Sequence, residues 1–166
     1  MNGSLRKVSI YGTGIIPFGK FPNLPLPLMA RPAVLEALKE SGVERKQIDA
    51  MYCGSALAGW MAGQRIAREC GLTGITIVNT ENACSSSATA FREAWMAVAC
   101  GMIDFAVVVG AEKLTRLGGG TLPLDNEDIE VTNGMVMPGL YAMRARRYLH
   151  DYGYEEKDLA EVAVKS

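Results

Sequence analysis

The sequence predicts a layered α/β fold in which a parallel sheet is covered by helices on both faces. Short β-branched or apolar runs alternate along the chain with longer stretches of helical spacing. One of those runs, "DFAVVVGAE", is almost wholly apolar, as a strand buried on both faces must be. The chain has 166 residues, 49% of them hydrophobic and 21% charged, which is enough for one buried core.

Taken in order, "RKVSIYGTG" reads as an opening strand of β-branched and aromatic residues closed by glycine. "GKFPNLPLPL" carries three prolines and is expected to be a loop. A helix is predicted from Pro32 over "PAVLEALKESG", with apolar Val34, Leu35 and Leu38 and a terminating Gly42. "QIDAMYCGSA" is expected to form a second strand, "GQRIARECG" a short helix ending at Gly71, and "ITIVN" a third strand. A helix from about Cys84 to Cys100 follows, stopped by Gly101, and then the strand in "DFAVVVGAE". Ala88, Ala90, Phe91, Ala94, Trp95, Ala97 and Val98 make that helix apolar nearly all round, so burial on almost every side is expected. After Arg116 the pattern changes. "LGGGTLPLDNEDIEVTNG" is rich in glycine, acids and turn formers and reads as an exposed excursion, before two closing helices, "PGLYAMRARRYLHDYG" and "EKDLAEVAVKS".

A formal net charge of −1 gives no reason to expect nucleic acid or an anionic membrane as partner. There is no apolar run of signal-peptide or membrane-span length. The four cysteines, Cys53, Cys70, Cys84 and Cys100, are irregularly spaced, with no CxxC pair, which points to a reducing, cytoplasmic setting.

"YGTGIIPFG" has the wrong spacing for a dinucleotide fingerprint, and its proline excludes the helix that would receive the pyrophosphate. Gly118–Gly120 reads as a flexible turn. His150, the only histidine, falls with Arg146, Arg147 and Asp151 on a polar helix face and reads as a solvated surface residue. No metal site is expected, since the cysteines do not cluster and one histidine cannot complete one. Cys53, Cys70 and Cys100 lie in apolar or element-end contexts, where cysteine behaves as a small hydrophobe. Cys84 differs. It stands at a strand-to-helix junction, where free N–H groups and the positive end of the helix dipole favour a thiolate. Ala83, Ser85, Ser86, Ser87 and Ala88 around it leave room for an acyl group and for close helix packing. The residues alone leave both a reactive and a structural role open for Cys84.

"VNTENACSSSATAFREAWMAVACGMIDFAVVVGAEKLTR" resembles the nucleophile segment of the thiolase superfamily. The matching features are Asn82 and Ala83 before Cys84, the small residues after it, the G-x-x-D of Gly101 to Asp104, and the strand ending in "GAEKLT". "ALKESGVERKQIDAMYCGSA" fits the second helix–strand unit of that fold, and "YAMRARRYLHDYGYEEKDLAEVAVKS" resembles its loop-domain helices. The likeness covers nearly the whole chain. It looks most like thiolases of the acetyl-CoA acetyltransferase and sterol-carrier-protein-x types and like bacterial or archaeal thiolases. "ACSSS" also resembles decarboxylating ketosynthases, which usually carry the cysteine further along and lack "GAEKLT".

The resemblance implies the N-terminal half of the two-half thiolase fold, a βαβαβ layered core over residues 1–115 with a helical loop-domain excursion over 116–166. It implies that Cys84 takes an acyl group from an acyl-CoA, so that coenzyme A thioesters are substrates and no cofactor is bound covalently. The coenzyme-contacting residues stay unknown. A homodimer or larger assembly, paired through a strand near the nucleophile helix, is implied, as is an accessory OB-fold, zinc-ribbon protein in some members. The family's catalytic histidines and second cysteine belong to a C-terminal half, which Cys100 and His150 do not match. The chain is therefore expected to be inactive without that half, supplied by the same or a separate polypeptide. The alternatives are a decarboxylating condensing enzyme and a non-catalytic thiolase-like interaction module.

Overall fold

In a computed structural model, residues 5–118 and 120–166 are described, so Met1–Ser4 and the middle of the predicted Gly118–Gly120 turn lie outside the description. Three parallel strands make the sheet: β1 (Ala50–Gly54), β2 (Thr76–Thr80) and β3 (Ala106–Gly110), in the spatial order β2-β1-β3. β1 is buried throughout because it is central and covered twice. Side chains alternate across a strand. Met51 and Cys53 accordingly join one core with Val34 of α1 (Leu26–Ser41) and Ile66 of α2 (Ala62–Cys70). Ala50 and Tyr52 join a second core with Ala90, Ala94 and Ala97 of α3 (Ser86–Ala99). Helices on both faces of a parallel sheet are thus observed, and they fix which residues of each strand are core.

The helix ends follow local chemistry. Gly42 and Gly71 close α1 and α2 in the left-handed conformation that glycine adopts without penalty. Gly101 does the same after α3, where Met102 N–H reaches Ala97 O and Gly101 N–H reaches Val98 O. The G-x-x-D run therefore stops a helix and then places Asp104, whose Oδ1 pairs with Arg6 Nη1 at 2.7 Å.

The structure departs from the sequence reading in three places. First, α1 begins at Leu26, inside the stretch read as a loop, with Pro25 as N-cap and Pro27 in the first turn. Proline is tolerated there because first-turn N–H groups lack helical partners in any case. Pro32 sits inside the helix and leaves the Leu28 carbonyl without its usual donor. Second, residues 6–14 are not a strand, since 7–12 make no backbone hydrogen bond among the described residues. Among the described residues their hydrogen bonds lie only at the two ends. Arg6 bonds Ala99 O, Val98 O and Ile103 O, while Thr13 N–H donates to Glu40 Oε2 at 2.6 Å. Third, α3 is not buried all round. Ala90, Ala94 and Ala97 face the sheet, whereas Phe91 and Trp95 are 48% and 42% exposed. The sheet has one helix layer on that side, so an apolar far face has nothing to pack against here.

The chain divides into two compact units, Met1–Leu117 and Gly118–Ser166. The second unit holds α4 (Ile129–Thr132), α5 (Met137–Tyr152) and α6 (Glu156–Lys165). Pro138 enters α5 in its first turn, Gly153 closes it, and a reciprocal capping box between Glu155 and Asp158 starts α6. No described helix is long and apolar enough to cross a membrane.

Candidate active site

Because the three strands are parallel, their carboxyl ends share one edge of the sheet, the place where ligands bind in open α/β folds. Cys84 stands at that edge. The chain leaves β2 at Thr80, turns through Glu81 and Asn82, and makes a single 3₁₀ turn over Ala83–Ser85 before α3. Ala83 has φ +45°, a left-handed conformation costing a non-glycine residue about 1–2 kcal/mol. Several bonds hold it there. Glu81 Oε1 accepts from Ala83 N–H at 2.6 Å, and the Ser86 hydroxyl donates to Ala83 O at 2.7 Å. The same hydroxyl oxygen accepts from Asn82 N–H at 2.9 Å, so Ser86, only 3% exposed, clamps the turn from beneath.

The turn leaves Cys84 exposed, one residue beyond the strained position. Its own N–H makes no hydrogen bond among the described residues, and α3 has no side-chain cap at its N-cap, Ser85. The free Cys84 N–H and the positive end of the α3 dipole therefore lie beside the thiol, while the N–H groups of Ala83, Ser85 and Ser86 are engaged within the turn. Two glycines let α3 come this close. A Cβ on Gly54, the last residue of β1, would lie 2.5 Å from Ser86 C and O and from Ser87 Cα. A Cβ on Gly110, at the end of β3, would collide with the Ser87 hydroxyl. The serines after Cys84 are small because the helix start rests on strand ends.

The neighbouring loops are tied down by side chains whose roles the sequence did not disclose. Glu112, in "GAEKLT", accepts from Ala56 N–H (2.8 Å), Leu57 N–H (2.9 Å) and Ser55 Oγ (3.2 Å), fixing the turn after β1. Lys113 Nζ donates to Pro22 O and Leu24 O at 3.0 and 2.7 Å, fixing the proline-rich approach to α1. Asn79 Oδ1 accepts from Gly63 N–H at 2.7 Å and joins β2 to α2. Arg65 Nη2 donates to Ala58 O, while its Nε is buried with no partner among the described residues. The sequence signals were a carboxylate directly after an apolar strand, and a polar Asn within one. Neither names its partner.

Cys53 and Cys70 are buried, and burial pushes the Cys53 thiol up to about 11 and the Cys70 thiol up as well. Cys100 was expected in a core-like context and is instead exposed, because it follows the last turn of α3 at the molecular surface. His150 is exposed on α5 in the second unit, with Nδ1 3.1 Å from Asp151 Oδ1. Hydrogen bonds from Arg147 first, then His150, hold the Asp151 carboxyl below its usual range. Among the described residues no group of His, Cys, Asp or Glu is placed to hold a metal ion. Brief iodoacetamide treatment at neutral pH should therefore modify Cys84 first and Cys100 second, leaving Cys53 and Cys70 unmodified. Peptide mapping checks this, and preferential modification of Cys53 or Cys70 would contradict the placement.

A family model described as "Thiolase, N-terminal domain" matches residues 8–166. The chain is 38% identical to benzoylsuccinyl-CoA thiolase subunit BbsB of Thauera aromatica over 165 residues, covering 97% of this chain and 43% of that protein. It is 35% identical to acetyl-CoA acetyltransferase of Methanothermobacter thermautotrophicus, covering 96% of this chain and 44% of that one. Among solved structures, "Ltp2-ChsH2(DUF35) aldolase" aligns with a TM-score of 0.70 at 24% identity, over 93% of this chain and 41% of that chain, which is a likeness of fold. The chain thus spans less than half the length of these relatives.

Proposed function

This chain belongs to the thiolase family, and from that premise we propose that it carries the nucleophile of a coenzyme A-dependent acyl transfer. The observation that supports this most is the exposed Cys84 on a strained turn, against the uncapped start of α3. In the proposed reaction Cys84 Sγ, as thiolate, attacks the thioester carbonyl carbon. The carbonyl oxygen takes the charge, and the free Cys84 N–H is a candidate donor to it. Collapse breaks the bond to the coenzyme A sulfur, which leaves as a thiol after gaining a proton, and the acyl group stays on Cys84. A second thiol or a carbanion then removes it.

Proton transfer to and from Cys84 needs a base, and Glu81, the carboxylate on this turn, is already engaged with Ala83 N–H. The missing acid/base groups are assigned to a C-terminal half, in keeping with relatives more than twice as long. The test uses this chain completed with the part of the Thauera subunit that follows its matched segment. Incubation with acetoacetyl-CoA and peptide mapping should find one acyl group, on the Cys84 peptide. Acylation elsewhere, or none in a folded protein, would remove the reading and leave the non-catalytic module. Malonyl-dependent condensation without thiolysis would favour the decarboxylating synthase.

The completed protein is also proposed to pair with itself through β2, whose outer edge carries no neighbouring strand among the described residues. Sedimentation at micromolar concentration should give a dimer or larger species, and a well-folded monomer would count against it. An accessory OB-fold, zinc-ribbon protein rests on the family resemblance alone.

A further inference from the structure

Of the three serines that follow Cys84, only Ser86 is buried, and its hydroxyl is used twice inside the nucleophile turn. It accepts from Asn82 N–H at 2.9 Å and donates to Ala83 O at 2.7 Å. Ser85 gives α3 no side-chain cap, and the Ser87 side chain lies against Gly110. Ser86 alone of the three therefore spans the two residues that bend the chain, Asn82 and the left-handed Ala83.

The bond to Ala83 O has a consequence for the next residue. That oxygen belongs to the same planar, trans peptide as the Cys84 N–H, and the two groups of such a unit point in opposite directions. The oxygen is drawn inward by two donors, the Ser86 hydroxyl and the Ser86 N–H. The Cys84 N–H is thereby turned the other way, to the side on which Cys84 is exposed. Glu81 holds the Ala83 N–H, which is part of the preceding peptide, and so does not fix this one. Ser86 is itself anchored. Its C=O accepts from the Thr80 hydroxyl at 2.9 Å, and Thr80 is the last residue of β2. The direction of the Cys84 N–H is thus referred to the sheet and not to the exposed loop. Without that anchor, rotation of the peptide would let Ala83 return to the right-handed or extended backbone it prefers.

We infer that Ser86 is a positioning residue for the acyl transfer. It holds the Ala83–Cys84 peptide so that the Cys84 N–H faces the carbonyl oxygen of a thioester attacked by Sγ. The inference rests on the proposed acylation of Cys84 and adds the group that aims its oxyanion donor. A serine that only kept the thiol in place would affect every reaction of Cys84 alike. One that aims the N–H matters only where an oxyanion forms.

The test compares two reactions of the same thiol in the completed protein. Acylation by acetoacetyl-CoA passes through an oxyanion, whereas alkylation by iodoacetamide displaces iodide and forms none. Ser86→Ala should slow acylation about a hundredfold, as loss of an oxyanion donor does, with KM and the alkylation rate little changed. Ala83→Gly added to Ser86→Ala should return about tenfold of the acylation rate, because glycine takes the left-handed conformation without a clamp. No return would show that Ser86 serves something other than the conformation of Ala83, and overturns the inference. Thr80→Val, an isosteric change within a strand, covers the case in which Ser86→Ala does not fold. It should slow acylation about tenfold, the worth of one hydrogen bond, and spare alkylation; no selective loss overturns the inference. Equal slowing of both reactions by Ser86→Ala, or of neither, also overturns it and leaves the proposed function intact. A folded parent protein that is alkylated but never acylated at Cys84 removes the proposed function, and this role of Ser86 with it.

Discussion

Residues 1–166 alone are expected to show no measurable thiolysis of acetoacetyl-CoA, and completion with a C-terminal thiolase half is expected to restore activity that Cys84→Ala abolishes. The turn at Ala83 and the start of α3 position the thiol and leave the Cys84 N–H free beside it. They supply neither a free base nor a second acid. Loss of one oxyanion donor costs about 10²–10³-fold in rate, and loss of a general base about 10²–10⁴-fold. Even without full additivity, those losses put the isolated chain below a routine assay. Coenzyme A release followed at saturating substrate decides the matter. Robust Cys84-dependent turnover by the isolated chain would show that the acid/base groups lie within it.

Gly54→Ala is expected to be the most damaging single methyl addition near the site. The new Cβ would sit 2.5 Å from backbone atoms of Ser86 and Ser87, which cannot move aside as a side-chain tip can. Overpacking of a core costs about 1–3 kcal/mol, and the upper end applies because both partners are backbone. The strain also falls on the start of α3, so Cys84 should shift with it. A misplacement near 1 Å can cost about 10²-fold in rate. Gly74→Ala is the control: Gly74 has φ +73° and open space around its Cα, so only local strain of about 1 kcal/mol is added. Urea midpoints and kcat/KM of the completed proteins separate the two. Equal effects on activity would mean that the Gly54 contact does not position the nucleophile.

The sheet and its helices were legible because their signals are local. β-branched runs marked β2 and β3, the apolar stretch after Asp49 marked β1, and Gly42, Gly71 and Gly101 marked the helix ends. Cys84 stood out for the same reason, as a thiol between a strand and a helix. Whatever depended on distant partners was hidden. Residues 6–14 have a strand's composition, but a strand exists only when paired, and no sequence pattern says whether the partner is present. The far face of α3 read as buried because Phe91 and Trp95 are apolar, yet burial requires a second surface to meet them. Glu112 and Asn79 are polar residues beside apolar runs, and only the fold shows which N–H groups they receive.

The uncovered side of α3 also gives the protein an optical signal of its own. It has two tryptophans, Trp60 at 94% and Trp95 at 42% exposure, so the isolated chain should emit as indole in contact with water. Trp95 lies on the apolar face of α3 beside β3 and residues 6–12, and Trp60 does not. Covering of that face by the completing half should therefore shift the emission of one indole to shorter wavelength and reduce its quenching by iodide, while Trp60 reports unchanged solvent. With Trp60→Phe in the background, assembly can be followed in real time from Trp95 alone, with no label added and no turnover required.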